Sequence, residues 1–438
     1  MKHRTNRDRA LRLSHGNLLT ACSLSLCLIA LSQRSSAVEL WSAEEGERRG
    51  SLDTTLKWSS LLSHAPDDPS LFPERWSGVG LFRARLGLNA RYSSTVSSEV
   101  AYEHRARLIS DDAGVIAGGD ILPSQAKAAY RISQLDWELV EADTSFAYRH
   151  ELDRALVALH PPWGQVTIGR QAIGLGRAVL FGAVDIFTPF SPLEVDREWR
   201  RGVDAARVEV EVSDTSSVEL LAAFGETWDD SALIARARGY IANIDGELIV
   251  GKRAEDAMYA GIMSATVGDA EVHVELAVFD TPEPQPDGGL FGTDDLVGKG
   301  VLGASYTFNV GNGLTLLGEY HYSGFGVKDM EDAMSRLTDT DFQERYLRGD
   351  MQVLGRHAIA LQLTYPINSA WTAALLTLQN PLDGSGLAAP SLGWDFAESV
   401  SLVASAFIPW GQKPSGGQLR SEYGGTPISL FLQLNMYY

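Results

Sequence analysis

Apolar and polar residues alternate with a period of two along much of this chain, in stretches of about ten residues. One face of the final stretch, 428–438, is apolar from end to end and carries Ile428, Leu430, Leu432, Leu434, Met436 and Tyr438. The other face carries Ser429, Gln433 and Asn435. Because successive side chains of a β-strand point to opposite faces, this period predicts strands with one apolar and one polar face.

The same alternation predicts sixteen strands along the chain. They are expected near 51–61, 79–92, 95–108, 150–160, 164–174, 202–212, 217–226, 256–266, 270–280, 299–309, 313–323, 356–365, 370–379, 390–396, 399–408 and 427–438. Two more strand-like stretches, at 128–140 and 232–250, either form hairpins within loops or span and raise the number of strands to 18.

The connections between these strands alternate in length. Short connections, such as 93–94 and 268–269, all fall on one side of the predicted sheet. The long connections all fall on the other side, at 109–149, 175–201, 227–255, 281–298, 324–355 and 409–426. Bacterial outer-membrane barrels have short periplasmic turns and long outer loops, and lipid tolerates no open sheet edge. We therefore predict an all-β fold in the cell outer membrane, a transmembrane antiparallel up-and-down β-barrel of about 16–18 strands.

Residues 1–37 have the order of a secretory signal peptide, with a basic start, an apolar stretch at 18–31 and small residues before Ala37. We expect cleavage after Ala37 and a single barrel domain over 38–438. Both cysteines, Cys22 and Cys27, fall inside the signal, so the mature chain is expected to have no thiol and no disulfide. Residues 19–22 also resemble a lipoprotein cleavage box, although most of the apolar stretch follows that cysteine.

The net charge is −19 at pH 7, and loss of residues 1–37 makes it −24. So acidic a chain is a poor candidate for nucleic-acid binding, which depends on basic groups that neutralise phosphate. The expected partners are the outer-membrane bilayer and a small or polymeric hydrophilic solute. The barrel assembly machinery is a third, because a final strand that ends on the aromatic Tyr438 resembles the signal that this machinery reads. No cofactor and no metal are expected.

A barrel of 16–18 strands is wide enough to hold an aqueous channel, so transport is the expected function. Arginines recur on the predicted inward faces and are candidate pore-lining residues: Arg83, Arg85, Arg91, Arg105, Arg107 and Arg207. Two interpretations are open. Either this ladder lowers the barrier to anionic solutes, or the arginines pair with glutamates of the same faces and form a rigid wall of mixed charge. Those glutamates are Glu99, Glu103, Glu209 and Glu211.

A second candidate region runs from Gly169-Arg170-Gln171, through Asp185 and a proline-rich turn, to Arg201-Gly202-Val203-Asp204. Over about residues 150–212 the sequence resembles the alginate-export family and related porin-like barrels. In that family a strand with Gly-Arg-Gln enters a long loop that tends to fold toward the pore. The resemblance implies an outer-membrane channel for hydrophilic solutes, such as an acidic polysaccharide.

Charged residues are dense in this loop, which contains Glu194, Asp196, Arg197, Glu198, Arg200 and Arg201. They either build a constriction of the pore or belong to a solvated outer loop. Arg170 shares the outward parity of Val166 and Ile168. Either a bulge at Gly169 turns Arg170 inward, or the side chain lies at the rim of the barrel.

Two other functions fit the sequence less well. An enzyme is disfavoured because there is no HExxH zinc motif and no Gly-x-Ser-x-Gly elbow. A wet lumen wall explains Glu271, His273 and Glu275 on one strand, and Glu319 with His321 on another, more simply than an acid/base site does. An adhesive or structural barrel with a plugged lumen needs aromatic or repetitive loops, and these loops are small, charged and rich in Gly and Pro. The acidic pairs 111–112 and 294–295 lack the spacing of a calcium loop.

Overall fold

The computed structural model describes residues 37–42, 48–110, 121–123, 127–140, 145–283, 285 and 288–438. The proposed signal sequence with its two cysteines, and the acidic residues Asp111, Asp112 and Asp287, lie outside the described residues. Cleavage after Ala37 therefore stays a prediction.

Strands make up most of the described chain. In chain order they are β1 (Val38–Ser42), β2 (Arg49–His64), β3 (Trp76–Ser93), β4 (Val96–Ile109), β5 (Asp136–Val140), β6 (Phe146–Leu159), β7 (Gly164–Gln171), β8 (Val203–Ser213), β9 (Ser216–Ala223), β10 (Ala232–Ile241), β11 (Ile244–Arg253), β12 (Asp256–Val267), β13 (Ala270–Asp280), β14 (Leu296–Phe308), β15 (Leu314–Ser323), β16 (His357–Pro366), β17 (Trp371–Gln379), β18 (Gly386–Ala397), β19 (Val400–Trp410) and β20 (Ile428–Tyr437). A 3₁₀ turn (Met330–Asp332) and the helices α1 (Ala333–Arg336) and α2 (Thr340–Arg348) lie between β15 and β16. None of the helices in the described residues is long and apolar enough to cross a bilayer.

Eighteen of these strands form a closed antiparallel barrel. Consecutive strands pair around the ring, except that β4 pairs directly with β6. The ring closes where β20 pairs with β2, from Thr55↔Tyr437 to His64↔Ile428. The two remaining strands are short: β1 pairs with the first residues of β2, and β5 pairs with the first half of β6. The predicted fold class is confirmed.

The stretch 232–253 decides the number of strands. It forms the spanning hairpin β10–β11, with paired residues from Ile241↔Ile244 to Ala232↔Arg253. Its turn residues, Ala242 and Asn243, both have positive φ, 53° and 66°, as the tightest hairpin turns require. The long outer loop predicted over 227–255 is therefore wrong, because most of it crosses the membrane. The stretch 128–140 does not span.

The outward face of the barrel is apolar. Leu430 and Leu432 on β20 are 59% and 47% exposed, whereas Phe431 and Gln433, which point inward, are each 3% exposed. Other strands carry exposed leucines and valines on the same face, among them Leu86, Val157, Leu220, Leu248, Leu276, Leu302 and Leu361. An apolar outer surface on a closed sheet is what a lipid bilayer requires, so these strands span the outer membrane.

Loops fill the half of the lumen that lies toward the long connections. One continuous apolar cluster joins inward side chains around the ring with residues from four connections. Those connections are represented by Tyr130, Phe187, Phe325 and Tyr423, each at most 5% exposed. Inward residues near the short turns, such as Glu271, are exposed. The lumen is thus a packed core on the outer side and an open vestibule on the periplasmic side, not the wide aqueous channel expected from the strand number.

Candidate functional site

Residues 172–202, between β7 and β8, form the central element of the site, and we call them the lumen loop. Leu180, Phe181, Val184 and Phe187 of this loop are at most 4% exposed and belong to the apolar cluster inside the barrel. The loop therefore lies within the lumen, as its resemblance to porin-like loops implies. The structure contradicts the alternative interpretation that these residues form a solvated outer loop.

One part of the lumen loop is held by basic residues of β2 and β3. Arg83 Nη1 donates to Asp196 Oδ2 at 2.8 Å. Lys57 Nζ lies 2.6 Å from Asp196 Oδ1 and 2.6 Å from Glu198 Oε2. Trp199 of the same loop packs against these cations, with its ring centroid 4.0 Å from Lys57 Nζ and 5.1 Å from Arg85 Cζ. Neither Lys57 nor Trp199 was identified from the sequence, since nothing in the strand pattern marks them.

A β-bulge on β6 adds a carboxylate to this wall. Tyr102 of β4 pairs with Leu152 and Ala101 pairs with Arg154, so Asp153 is an extra residue. Asp153 and Arg154 are consequently both buried, at 2% and 5% exposure. Asp153 accepts hydrogen bonds from Arg85 and Arg154 and from the backbone N–H of Gly202. In a regular strand, neighbouring side chains point to opposite faces, so the sequence pattern could not predict that Asp153 and Arg154 are both buried.

Two glutamates complete the pairing. Glu103 accepts from Arg83 Nε at 2.8 Å and from Arg105 Nε. Glu151 lies 2.9 Å from Arg105 Nη2, and 3.2 Å from Nη2 of Arg201, the last arginine of the lumen loop. Arg131, from the connection before β5, also contacts Glu151 at 3.2 Å. The structure thus brings Arg83, Arg85, Arg105 and Arg201 into one network.

The remaining candidates of the ladder lie apart from this network. Arg207 pairs with Glu219 and with Glu209 on neighbouring inward positions. Arg91 is exposed at the periplasmic end of β3, and Arg107 lies at the outer end of β4. Neither Arg91 nor Arg107 makes an ion pair within the part of the chain that the structure describes. The wall therefore combines the two sequence interpretations, with paired arginines in the middle and, at both ends, arginines that make no ion pair with the described residues.

Arg170 does not join the lumen network. Its side chain is 3% exposed and donates to Asp204 through Nε at 2.7 Å and through Nη2 at 2.9 Å. It also donates to the backbone oxygens of Ser133, Gln134 and Leu152. β7 has only eight residues, and the stretch before β5 occupies the space beyond its end. Arg170 therefore joins three neighbouring segments of the wall near the outer rim, in agreement with the rim alternative.

The other part of the lumen loop is held by an acidic wall, which we define as Glu247, Glu275 and Glu319 on β11, β13 and β15. The carboxylate of Glu275 accepts the backbone N–H groups of residues 177, 178 and 183. The carboxylate of Glu319 accepts those of residues 179, 180 and 181 at 2.6, 3.0 and 2.9 Å. These two glutamates bind the lumen loop and so have a structural role that the sequence pattern does not specify.

Comparisons with known proteins identify the fold. No family model matches the chain, and no curated protein matches it. Solved structures do match: Acinetobacter baumannii OccAB3 has a TM-score of 0.54 at 10% identity, over 89% of this chain and 99% of that chain. OccAB1 and OccAB4 of the same organism have TM-scores of 0.53 and 0.52, each at 10% identity, over 92% and 90% of this chain and 99% and 100% of theirs. These are outer-membrane porins. The chain has the porin fold.

Within this porin barrel, an internal ion pair shapes the turn of the lumen loop. Arg200 Nη1 lies 2.7 Å from Asp185 Oδ2 and also donates to the backbone oxygens of Phe187 and Thr188. Burial raises the pKa of Asp185 to about 6, against the opposing effect of Arg200. The two candidate residues therefore hold each other and the loop backbone, which gives them a positioning role.

A second loop is fastened across the porin lumen by α2. Arg345 of α2 lies 2.9 Å from Asp256 Oδ2, and Arg253 Nη2 lies 2.7 Å from the same oxygen. Arg253 also contacts Asp350 at 2.8 Å. The ring of Phe325 lies 4.9 Å from Arg345 Cζ. This buried network fixes the connection between β15 and β16 inside the barrel, where the sequence pattern predicted only a long outer loop.

Proposed function

We propose that this protein is an outer-membrane channel for small hydrophilic anions, in which the lumen loop controls passage. The observation that carries the proposal is the position of that loop. It lies inside a porin barrel, with Asp196 bound to Arg83 of β3 and the loop backbone bound to Glu275 and Glu319 of the acidic wall. A loop held by polar contacts at both walls can detach from either one and open a path.

Charge supports an anionic solute. Nine cations line the sector formed by β2, β3, β4, β6 and the attached loops: Lys57, Arg83, Arg85, Arg105, Arg107, Arg131, Arg149, Arg154 and Arg201. Seven carboxylates of the described residues pair with them: Glu99, Glu103, Asp136, Glu151, Asp153, Asp196 and Glu198. Glu194 and Asp53 add two further carboxylates to this sector, so its anion preference depends on Arg107 near the outer mouth, which makes no ion pair with the described residues.

Size supports small solutes over polymers. The alginate-export resemblance favours an acidic polysaccharide, and the basic sector is compatible with one. A polymer, however, needs a continuous wide path, and the outer half of the lumen is filled by four connections. Displacing one loop opens room for a small molecule, whereas a polymer requires the whole apolar cluster to move. We also retain the proposal that the barrel assembly machinery recognises the strand that ends at Tyr438.

The test is transport by the refolded barrel. In planar bilayers under a salt gradient we expect discrete conductance steps with a reversal potential on the anion side. In proteoliposomes we expect gluconate to enter faster than glucose, which differs little from it in size, and an alginate oligomer to be excluded. Entry of the oligomer contradicts the limit to small solutes, and equal entry of gluconate and glucose contradicts anion preference.

The packed lumen also favours a second function, that of a closed barrel whose outer loops are the working surface. The same measurement separates the two. If the refolded protein shows heat-modifiable migration and a β-sheet spectrum yet gives no conductance over a range of voltages, the channel proposal is wrong and the closed barrel stands.

A further inference from the structure

A group of buried polar side chains on β11, β14 and β15 lacks partners among the described residues. His321 is fully buried, and neither of its ring nitrogens makes a hydrogen bond. The hydroxyl of Ser323, also fully buried, makes none. Arg253 uses Nη2 for Asp256 and Asp350, but its Nε and Nη1 are unpaired. Native proteins pair nearly all buried polar groups, so a concentration of unpaired ones indicates a missing ligand or water.

Lys299 is the charged centre of this group. Its side chain is 3% exposed and makes no ion pair or hydrogen bond with the described residues. The carboxylates with the strongest electrostatic effect on Lys299 are Asp350, Asp185 and Glu275. Each of them has another partner: Asp350 pairs with Arg348, Asp185 with Arg200, and Glu275 with the lumen loop. The Lys299 side chain is therefore buried, and its ammonium has no hydrogen bond or ion pair with the described residues.

The strand register places Lys299, Ser323 and His321 on one inward patch, and Arg253 of β11 lies within electrostatic range of Lys299. Lys299 lies directly opposite Ser323, and His321 is two residues from Ser323 on the same face of β15. The charge of Arg253 acts on Lys299, and that of Lys299 acts on His321. Apolar rings cover the patch: Phe181 stacks on His321 at 4.9 Å, and Phe279 lies 4.4 Å from Arg253 Cζ.

We propose that Lys299, Arg253, Ser323 and His321 form a buried binding site for a small anion, a halide or a carboxylate group. Ammonium and guanidinium groups only donate hydrogen bonds, and a hydroxyl and a neutral imidazole each donate one. An anion accepts from all four and compensates the charge of Lys299. A water molecule can accept hydrogen bonds from these groups, but it carries no negative charge to compensate the buried ammonium. The site does not depend on transport, because a closed barrel can hold the anion equally well.

The direct test is anomalous diffraction from crystals of the refolded barrel grown in sodium bromide. We expect a bromide peak within hydrogen-bonding distance of Lys299 Nζ in the wild type. The peak disappears in Lys299→Met. It persists in Lys252→Met, which removes a partly exposed lysine beside Trp228. Ordered water alone at the wild-type site, or a peak retained in Lys299→Met, overturns the proposal.

A solution measurement covers the case in which a variant does not crystallise. At constant ionic strength, maintained with a bulky sulfonate buffer anion, bromide or acetate should raise the urea midpoint of the wild type and of Lys252→Met. Ser323→Ala, which removes one donor, should show a weaker response, and Lys299→Met none. A response to acetate but not bromide assigns the site to carboxylates. No response of the wild type to either anion, with Lys299→Met more stable in all buffers, overturns the site.

Discussion

Single side chains join segments that are far apart in this sequence, and Arg170 shows how. Its guanidinium is bound by Asp204 on β8 and by backbone oxygens on β6 and in the stretch before β5. Parity correctly indicated that Arg170 does not share the inward face, because the register of β7 is regular up to Gly169. The cover supplied by residues 133 and 134 could not be predicted, since no local pattern connects that stretch with β7.

Replacing Arg170 should weaken the barrel. Arg170→Gln leaves the partly buried carboxylate of Asp204 without its cation and removes the donor to three backbone oxygens, so we expect the free energy of unfolding to fall by about 1–3 kcal/mol. Arg170→Lys should recover only part of the loss, because an ammonium cannot match the fork of five donors. Urea titration in detergent micelles, followed by tryptophan fluorescence, checks this. Equal stability of Arg170→Gln and wild type contradicts the joining role.

Glu422, in the connection between β19 and β20, should make stability depend on pH. Burial raises its pKa to about 7, although Gly355 and Asn380 donate to the carboxylate. In the unfolded chain a glutamate has a pKa of about 4.3. Between these values the folded protein holds a proton that the unfolded chain has lost, so this residue reduces stability as the pH rises through that window.

Glu422→Gln therefore should gain stability relative to wild type as pH rises. We expect equal urea midpoints for the two proteins near pH 4 and a higher midpoint for the variant at pH 8. Glu344→Gln, at an exposed position of α2, is the matched control and should follow the wild type at both values. A constant difference between Glu422→Gln and wild type from pH 4 to pH 8 is the result that contradicts this assignment.

At the scale of elements, regular strands were predictable and departures from regularity were not. The predicted strands 256–266 and 270–280 nearly coincide with β12 and β13, because each has an uninterrupted apolar face. The bulge at Asp153 and the folding of residues 172–202 into the lumen depend on contacts across the barrel. The charged residues of that loop left two interpretations open, a constriction of the pore or a solvated outer loop. Their partners on two opposite walls were visible only in the closed barrel.

The attachment of the lumen loop to the acidic wall should control conductance. Glu275→Ala with Glu319→Ala removes the acceptors for six backbone N–H groups of the loop. We expect larger single-channel steps, with a loss of stability of about 2–5 kcal/mol. Glu271→Ala, on the exposed end of the same strand as Glu275, should leave the step size unchanged. A double variant that folds but conducts like the wild type shows that this attachment does not limit flow.

For the whole molecule, the alternation of short and long connections correctly predicted an antiparallel up-and-down barrel, although most of 227–255 forms a spanning hairpin and not a long loop. The barrel topology follows from the requirement that lipid surround a closed sheet, so every strand carries the alternating pattern that predicts it. The content of the lumen is under no such constraint. It depends on which loop turns inward, and the sequence therefore supported an open channel where the structure shows a packed outer half.

Arginines with and without an ion pair should contribute differently to the ion selectivity of the whole barrel. Arg91→Ser with Arg107→Ser removes two charges that have no ion pair among the described residues, and it leaves the network of Arg83, Arg85 and Arg105 intact. We expect the reversal potential under a tenfold salt gradient to shift toward cations by several millivolts, with unchanged stability. Lys413→Ser, at an exposed position between β19 and β20, should cause no shift. If the double variant keeps the wild-type reversal potential, the ends of the ladder do not select ions, and any preference for anions must arise from the paired network or from the lumen loop.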